Sequence, residues 1–295
     1  MIWTRSFPRL ARGRGAKTAS AGLALLLALL LLASTACLSW RQAPEPLPAL
    51  VYAAAEEPQA LILLLPGLLS DPEDFDRHGF VEAIQRARPN AEVRALDLHP
   101  GYYRDGVAEE RVLEDHVLPA RRRGVEEVQL IGISLGGYGA ASFLSRFPDQ
   151  VDGAILLAPW LGERELVEEL RQAGGPTAWR AVQASEVALE DGPQDGSEGD
   201  PAVQLWLDLV PLLESSNPPK LWLAYGESDR FAGAHRQLAT LLPAERTLSR
   251  DGGHRWRVWE QLLDDLVQAG ALKPALELNQ DAIESPPSEE SRTNP

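Results

Sequence analysis

Residues 61–65 are five apolar side chains in a row, ending at Pro66-Gly67. A strand with one wet face alternates polar and apolar positions, so an unbroken run of this length fits a strand covered on both sides. Runs of the same kind recur at 91–98, 128–133, 151–157 and 221–225, with a weaker one at 246–249. Between them lie segments with helical periodicity: 74–88, 107–122, 135–146, 234–242 and 256–272. Strands that alternate with helices are joined by crossovers. The expected fold class is therefore α/β, a mostly parallel central sheet with helices on both faces.

The alternation breaks once, where about sixty residues stand between the strands ending near Pro159 and beginning after Lys220. They hold a Gly174-Gly175-Pro176 break, an acidic loop over 190–200 and an apolar helix, Pro201–Leu213, with Asp200 as its N-cap and Pro201 at its first position. Apolar residues cover nearly the whole circumference of that helix, so it needs cover on most sides. This predicts a small helical cap over 162–217 above the C-terminal edge of the sheet; two ordinary packing helices are the alternative. The domain is expected over 58–273, followed by a polar, proline-bearing tail at 274–295 with the composition of a disordered segment.

One motif carries chemistry. Gly132-Ile133-Ser134-Leu135-Gly136 joins the strand 128–133 to a helix. A nucleophilic serine in so tight a turn needs strained backbone angles and neighbours without side chains, which is what glycine two before and two after supplies. The helix that starts there also directs a partial positive charge toward a developing oxyanion.

From about 61 to 267 the chain resembles the α/β-hydrolase fold family, whose nucleophile, acid and histidine follow in that order on loops at the C-terminal edge of the sheet. The resemblance implies an acid after the strand 221–225, where Gly226-Glu227-Ser228-Asp229 makes Asp229 the candidate and leaves Glu227 and Asp251 as alternatives. It implies a histidine after the last strand, where Gly252-Gly253-His254 stands. The oxyanion hole it implies is made of the backbone amides of Leu135 and Leu68, with Gly67 the alternative to Leu68, and Pro66-Gly67 stands where many members have His-Gly. A serine nucleophile argues against haloalkane or epoxide chemistry, and the absence of a Gly-Gly-Gly run at 66–69 argues against the esterases that use one. The implied activity is hydrolysis of a small-molecule carboxylic ester, with acyl transfer and thioester or amide cleavage open to the same residues. No metal or organic cofactor is required. A silent hydrolase fold used for binding is the alternative of another class.

His78, His116 and His235 fall in or beside helix candidates and read as solvent-facing or boundary residues, while His99 ends the strand 91–98 on the edge where a pocket would lie. Trp160, Trp179 and Trp206 are candidates for an apolar acyl pocket, or for core.

The N-terminus reads as an export signal over residues 1–36. Arg5, Arg9, Arg12, Arg14 and Lys17 precede 23 uncharged residues, 18–40, whose centre is almost pure Leu and Ala. Ser34-Thr35-Ala36-Cys37 resembles a bacterial lipobox, with Ser34 where the usual pattern has Leu, and Cys37 is the only cysteine of the chain. The resemblance implies lipidation of Cys37 and a lipoprotein held in the bacterial cell envelope; an uncleaved anchor or a secreted protein are the alternatives. Residues 37–57, with Pro44, Pro46 and Pro48, read as an extended tether. Of the 295 residues, 28 are Lys or Arg and 43 are Asp or Glu, a net charge of −15 that becomes −20 without the five cations of the head. Such a surface repels phosphate backbones and makes nucleic acid an unfit partner.

Overall fold

In the computed structural model, which describes residues 41–55, 57–189 and 199–273, the apolar runs assemble into one seven-stranded sheet. The strands are β1 (Ala49–Tyr52), β2 (Ala60–Leu65), β3 (Ala91–Leu96), β4 (Glu127–Ile133), β5 (Gly153–Leu157), β6 (Leu221–Gly226) and β7 (Thr247–Arg250), in the order β1-β3-β2-β4-β5-β6-β7. All pairings are parallel except that of β1 with β3. The expected α/β class is the one observed. The segment 1–36 read as an export signal, Cys37 and the tail expected at 274–295 lie outside the described residues.

The unbroken apolar runs have a direct structural cause. Leu61, Leu63 and Leu65 of β2 enter one hydrophobic cluster, and Ile62 and Leu64 enter a second on the opposite face. The second face is covered by α2 (Phe80–Ala87) and α11 (Trp256–Gln268), through Ile84, Leu262 and Leu266 among others. The first face is covered by α6 (Leu135–Arg146) and the helices before β4: α3 (Pro100–Arg104), α4 (Ala108–Val112) and α5 (Leu118–Arg122). A π-helical turn, Leu113–Val117, joins α4 to α5. Pro119 has no N–H to offer the carbonyl one turn earlier, and the helix widens where that bond is missing. The expected helix 74–88 is split into α1 (Pro72–Arg77) and α2 by Gly79, whose φ of 72° a side chain rarely adopts.

The tether expected over 37–57 belongs to the fold from Ala43 onward. Leu47 is buried in the first cluster, its amide donates to Asp115, and β1 follows Pro48 as an antiparallel edge strand on β3. Prolines stand just before it, where no ladder hydrogen bond is needed.

The insertion forms α7 (Arg164–Gln172), α8 (Pro176–Leu189) and α9 (Pro201–Leu213). Asp200 caps α9 by accepting from the Ala202 amide, as its sequence suggests. α9 packs on α6 and α8; its buried residues Leu205, Trp206, Leu209 and Val210 continue the first cluster, while Pro201, Gln204 and Asp208 form a single exposed stripe.

Candidate functional site

After β2 the chain moves to one side of the sheet to make β3, then returns past β2 to make β4 and the strands beyond it. The C-terminal ends of β2 and β4 therefore flank the point where strand order reverses, the place where open α/β sheets leave a crevice. Ser134 follows β4 directly, with φ 54° and ψ −112°, a conformation rarely seen outside glycine. Its neighbours hold it there. Its amide donates to the Leu157 carbonyl at 3.0 Å, and its own carbonyl accepts from Trp160 and Tyr138 at 2.9 and 3.1 Å. The flanking glycines follow from close packing: a Cβ on Gly132 would run into the carbonyl of Gly136, and one on Gly136 into the carbonyl of Leu65.

The loop after β6 delivers Asp229 and the loop after β7 delivers His254. The two loops are tied by the Glu227 amide donating to the Arg250 carbonyl at 2.8 Å and the Ser228 amide to the Gly252 carbonyl at 2.9 Å. His254 Nε2 lies 2.9 Å from Ser134 Oγ, and His254 Nδ1 lies 2.8 Å from Asp229 Oδ2. The second carboxylate oxygen of Asp229 accepts from the Phe231 amide at 2.8 Å, and its side chain has no exposed surface. Phe231 and Trp259 hold the imidazole edge-on from two sides, with ring centroids at 5.2 and 4.9 Å. Of the alternative acids, Glu227 is exposed and accepts from Ser249, and Asp251 is exposed; Asp229 is the carboxylate on the imidazole.

In such an array a proton on Nδ1 is held by the carboxylate, which leaves the Nε2 lone pair facing the serine hydroxyl. The arrangement is able to draw a proton from Ser134 as its oxygen attacks a carbonyl carbon. Leu135, first residue of α6, and Leu68 are the expected oxyanion donors. Gly67 approaches so closely that a Cβ there would lie 3.4 Å from the Ser134 Cβ, so the loop carrying Leu68 abuts the serine.

Of the remaining histidines, His235, His116 and His99 differ from their sequence readings, while His78 stays at a boundary. His235 is fully buried; its Nε2 donates to the Pro159 carbonyl at 2.8 Å, and burial lowers its pKa to about 4. His116 is also buried, between Arg94 (3.2 Å) and the Leu47 carbonyl (3.0 Å). Burial and the adjacent guanidinium bring its pKa down to about 4. Both were expected at a surface or boundary, and the segments packed over them, at Pro159 and Leu47, come from distant parts of the chain. His78 is partly exposed, stacked on Trp256 at 4.2 Å and bonded to Glu260. His99 caps α3, accepting from the Gly101 amide at 3.1 Å.

A cavity of about 730 Å³ opens beside Leu135, between α6, α9 and the segment 103–109. Trp160 lines it. His99, Trp179 and Trp206 do not: His99 is occupied as a cap, Trp179 is packed in the core, and the Trp206 indole donates to the Leu161 carbonyl from a fully buried position. Two residues absent from the sequence reading, Tyr103 and Tyr138, make an aromatic wall with Trp160, with centroids 6.0 and 5.4 Å apart. Burial, with Glu109 next in effect, pushes the Tyr138 phenol up to about 12, so it stays protonated. Gly139 was a usable signal for this wall, since a Cβ there would strike the Tyr103 hydroxyl. The cavity is mixed rather than apolar, with Arg104, Glu109, Arg146 and Asp208 on its walls.

No family model matches the chain, and no curated protein does. Solved structures do. S-formylglutathione hydrolase from Staphylococcus aureus is 17% identical, over 73% of this chain and 85% of that one, with a TM-score of 0.48. A monoacylglycerol lipase from Paleococcus ferrophilus is 18% identical, over 76% of this chain and 99% of that one, with a TM-score of 0.47. A ferulic acid esterase is 14% identical, over 74% and 86%, with a TM-score of 0.47.

Proposed function

We propose that the chain is a serine hydrolase that cleaves a carboxylic ester through an acyl-enzyme. The observation that carries this reading is the continuous hydrogen-bonded line from Ser134 Oγ through His254 to Asp229, on a serine held at φ 54°. His254 takes the hydroxyl proton as Ser134 Oγ bonds to the carbonyl carbon, and the amides of Leu135 and Leu68 receive the oxyanion. The carbon–alkoxy bond then breaks and His254 returns the proton to the departing alcohol. In the second half His254 takes a proton from water, whose oxygen bonds to the acyl carbon. The acid leaves as the proton returns to Ser134. Asp229 fixes the imidazole tautomer and stabilises its charged form throughout.

An alcohol or amine in place of water makes the same sequence an acyl transfer, and a thioester or amide enters it equally. The cationic head, the apolar stretch and Cys37 after small residues support a lipoprotein of the bacterial envelope as the setting of this activity, with an uncleaved anchor or a secreted protein as the alternatives. A fluorophosphonate probe tests the reading: the wild-type chain is expected to label on Ser134 and Ser134→Ala to remain unlabelled. A folded wild type that does not label supports instead a silent binding protein.

A further inference from the structure

Resting on that reading, we infer that the site acts on an ester embedded in the membrane to which the chain is tethered, with Leu68 and Leu69 seated in the lipid surface beside Ser134. Three observations converge on it. The first is where the chain enters the fold. Because β1 runs antiparallel to β3, with Ala49 opposite Leu96, its beginning lies at the C-terminal edge of the parallel strands, the edge that carries Ser134, Asp229 and His254. The preceding residues stay there: the Pro44 carbonyl accepts from the Tyr102 hydroxyl at 2.7 Å, and Ala43 hydrogen-bonds Asp105. Asp105 pairs with Arg104, which lines the cavity beside Leu135.

The second observation is the length of chain left over. Six residue steps separate Cys37 from Ala43. At no more than about 3.3–3.6 Å per residue they span about 20 Å, less than a small domain's width. On the reading that Cys37 carries a lipid, so short a connection favours a bilayer on the entry side of the sheet over one at its opposite end. A long tether would have imposed no orientation.

The third is the surface of that edge. Leu69 is 80% exposed and Leu68 50%, on the loop whose Gly67 packs so near Ser134 that a Cβ there would lie 3.4 Å from the serine Cβ. They are two of only four large hydrophobic residues so exposed among those described, and they are adjacent. An exposed apolar pair on the loop next to Ser134, on a chain with a net charge of −20 outside its head, suits an uncharged or zwitterionic lipid surface better than an anionic one.

The chemistry is the hydrolysis written above, with the carbon–alkoxy bond of the lipid broken and water divided between acid and alcohol. The test uses the full chain in phosphatidylcholine vesicles that carry a fluorogenic glycerolipid ester, with p-nitrophenyl acetate in solution as the comparison. Leu69→Ser is expected to lower the rate on the vesicle ester about tenfold, the partitioning of one leucine side chain, and to leave the acetate rate unchanged. Insertion of about thirty Gly/Ser residues between Gln42 and Ala43 is expected to produce the same split. Wild-type rates on the vesicle ester for both variants overturn the inference, as does a wild type that hydrolyses the acetate and leaves the vesicle ester intact. Parallel losses on both esters also overturn it, because they assign Leu69 to the reaction itself. If wild type hydrolyses neither ester and takes no fluorophosphonate label, the hydrolase reading fails and the lipid substrate with it.

Discussion

At the scale of single residues, the site depends on which carboxylate meets the imidazole. Asp229 lies 2.8 Å from His254 Nδ1 and has no exposed side-chain surface, whereas Glu227, two residues earlier, points to Ser249. Asp229→Asn is accordingly expected to lower kcat by about 10³–10⁴-fold through loss of the correct tautomer, and His254→Ala by at least about 10³-fold, in steady-state ester hydrolysis. Glu227→Gln is expected to leave kcat within about twofold; a large loss there would exchange the two acids. Ser134 and His254 were legible in the sequence because each sits in a glycine setting with a local steric cause. His116 and His235 were not legible, because what buries them is backbone from Leu47 and Pro159, 69 and 76 positions away. The acyl-pocket tryptophans divide in the same way: Trp160 follows a strand end and lines the cavity, while Trp206 faces Leu161, a direction that helical periodicity does not specify.

At the scale of elements, the unbroken apolar runs located six of the seven strands, and edge strand β1 escaped because four residues behind three prolines carry no such run. The insertion was legible as a break in the alternation, but its role was not. α9 turns its apolar circumference into the core and leaves Gln204 and Asp208 on the cavity side, so it serves as both packing and wall. Trp206→Ala should therefore destabilise the whole domain, by about 3–5 kcal/mol for a large buried side chain, read as a shift of the urea midpoint. A loss below about 1 kcal/mol would mark α9 as a lid only loosely attached to the core. Gly136→Ala tests a different element contact. Its new Cβ meets backbone of β2 rather than a yielding side chain, so the junction of β4 with α6 must shift, and ester turnover should fall even if the domain stays folded.

At the scale of the whole molecule, the two buried histidines tie stability to pH. In the folded chain His116 and His235 hold their protons only below about 4, where 6.5 is the ordinary value. Burial is the leading cause for both. Arg94 adds to it at His116 against the opposing Leu47 carbonyl, Asp115 and Glu92, and at His235 the Pro159 carbonyl and Asp229 oppose it. Between pH 6.5 and 4 the unfolded chain binds protons at these two rings that the folded chain does not. Stability is thus complete above about 6.5 and declines as pH falls toward 4, by an amount on the order of 3 kcal/mol for each ring. Urea unfolding at pH 7.5, 5.5 and 4.5 is expected to give a falling midpoint across this window. The double variant His116→Gln, His235→Gln is expected to be less stable at pH 7.5 and to lose most of the slope between 6.5 and 4.5, because neither replacement titrates. An unchanged slope in the double variant would shift the pH dependence to the carboxylates, many of them in ion pairs such as Arg88 with Glu127 and Arg94 with Glu92.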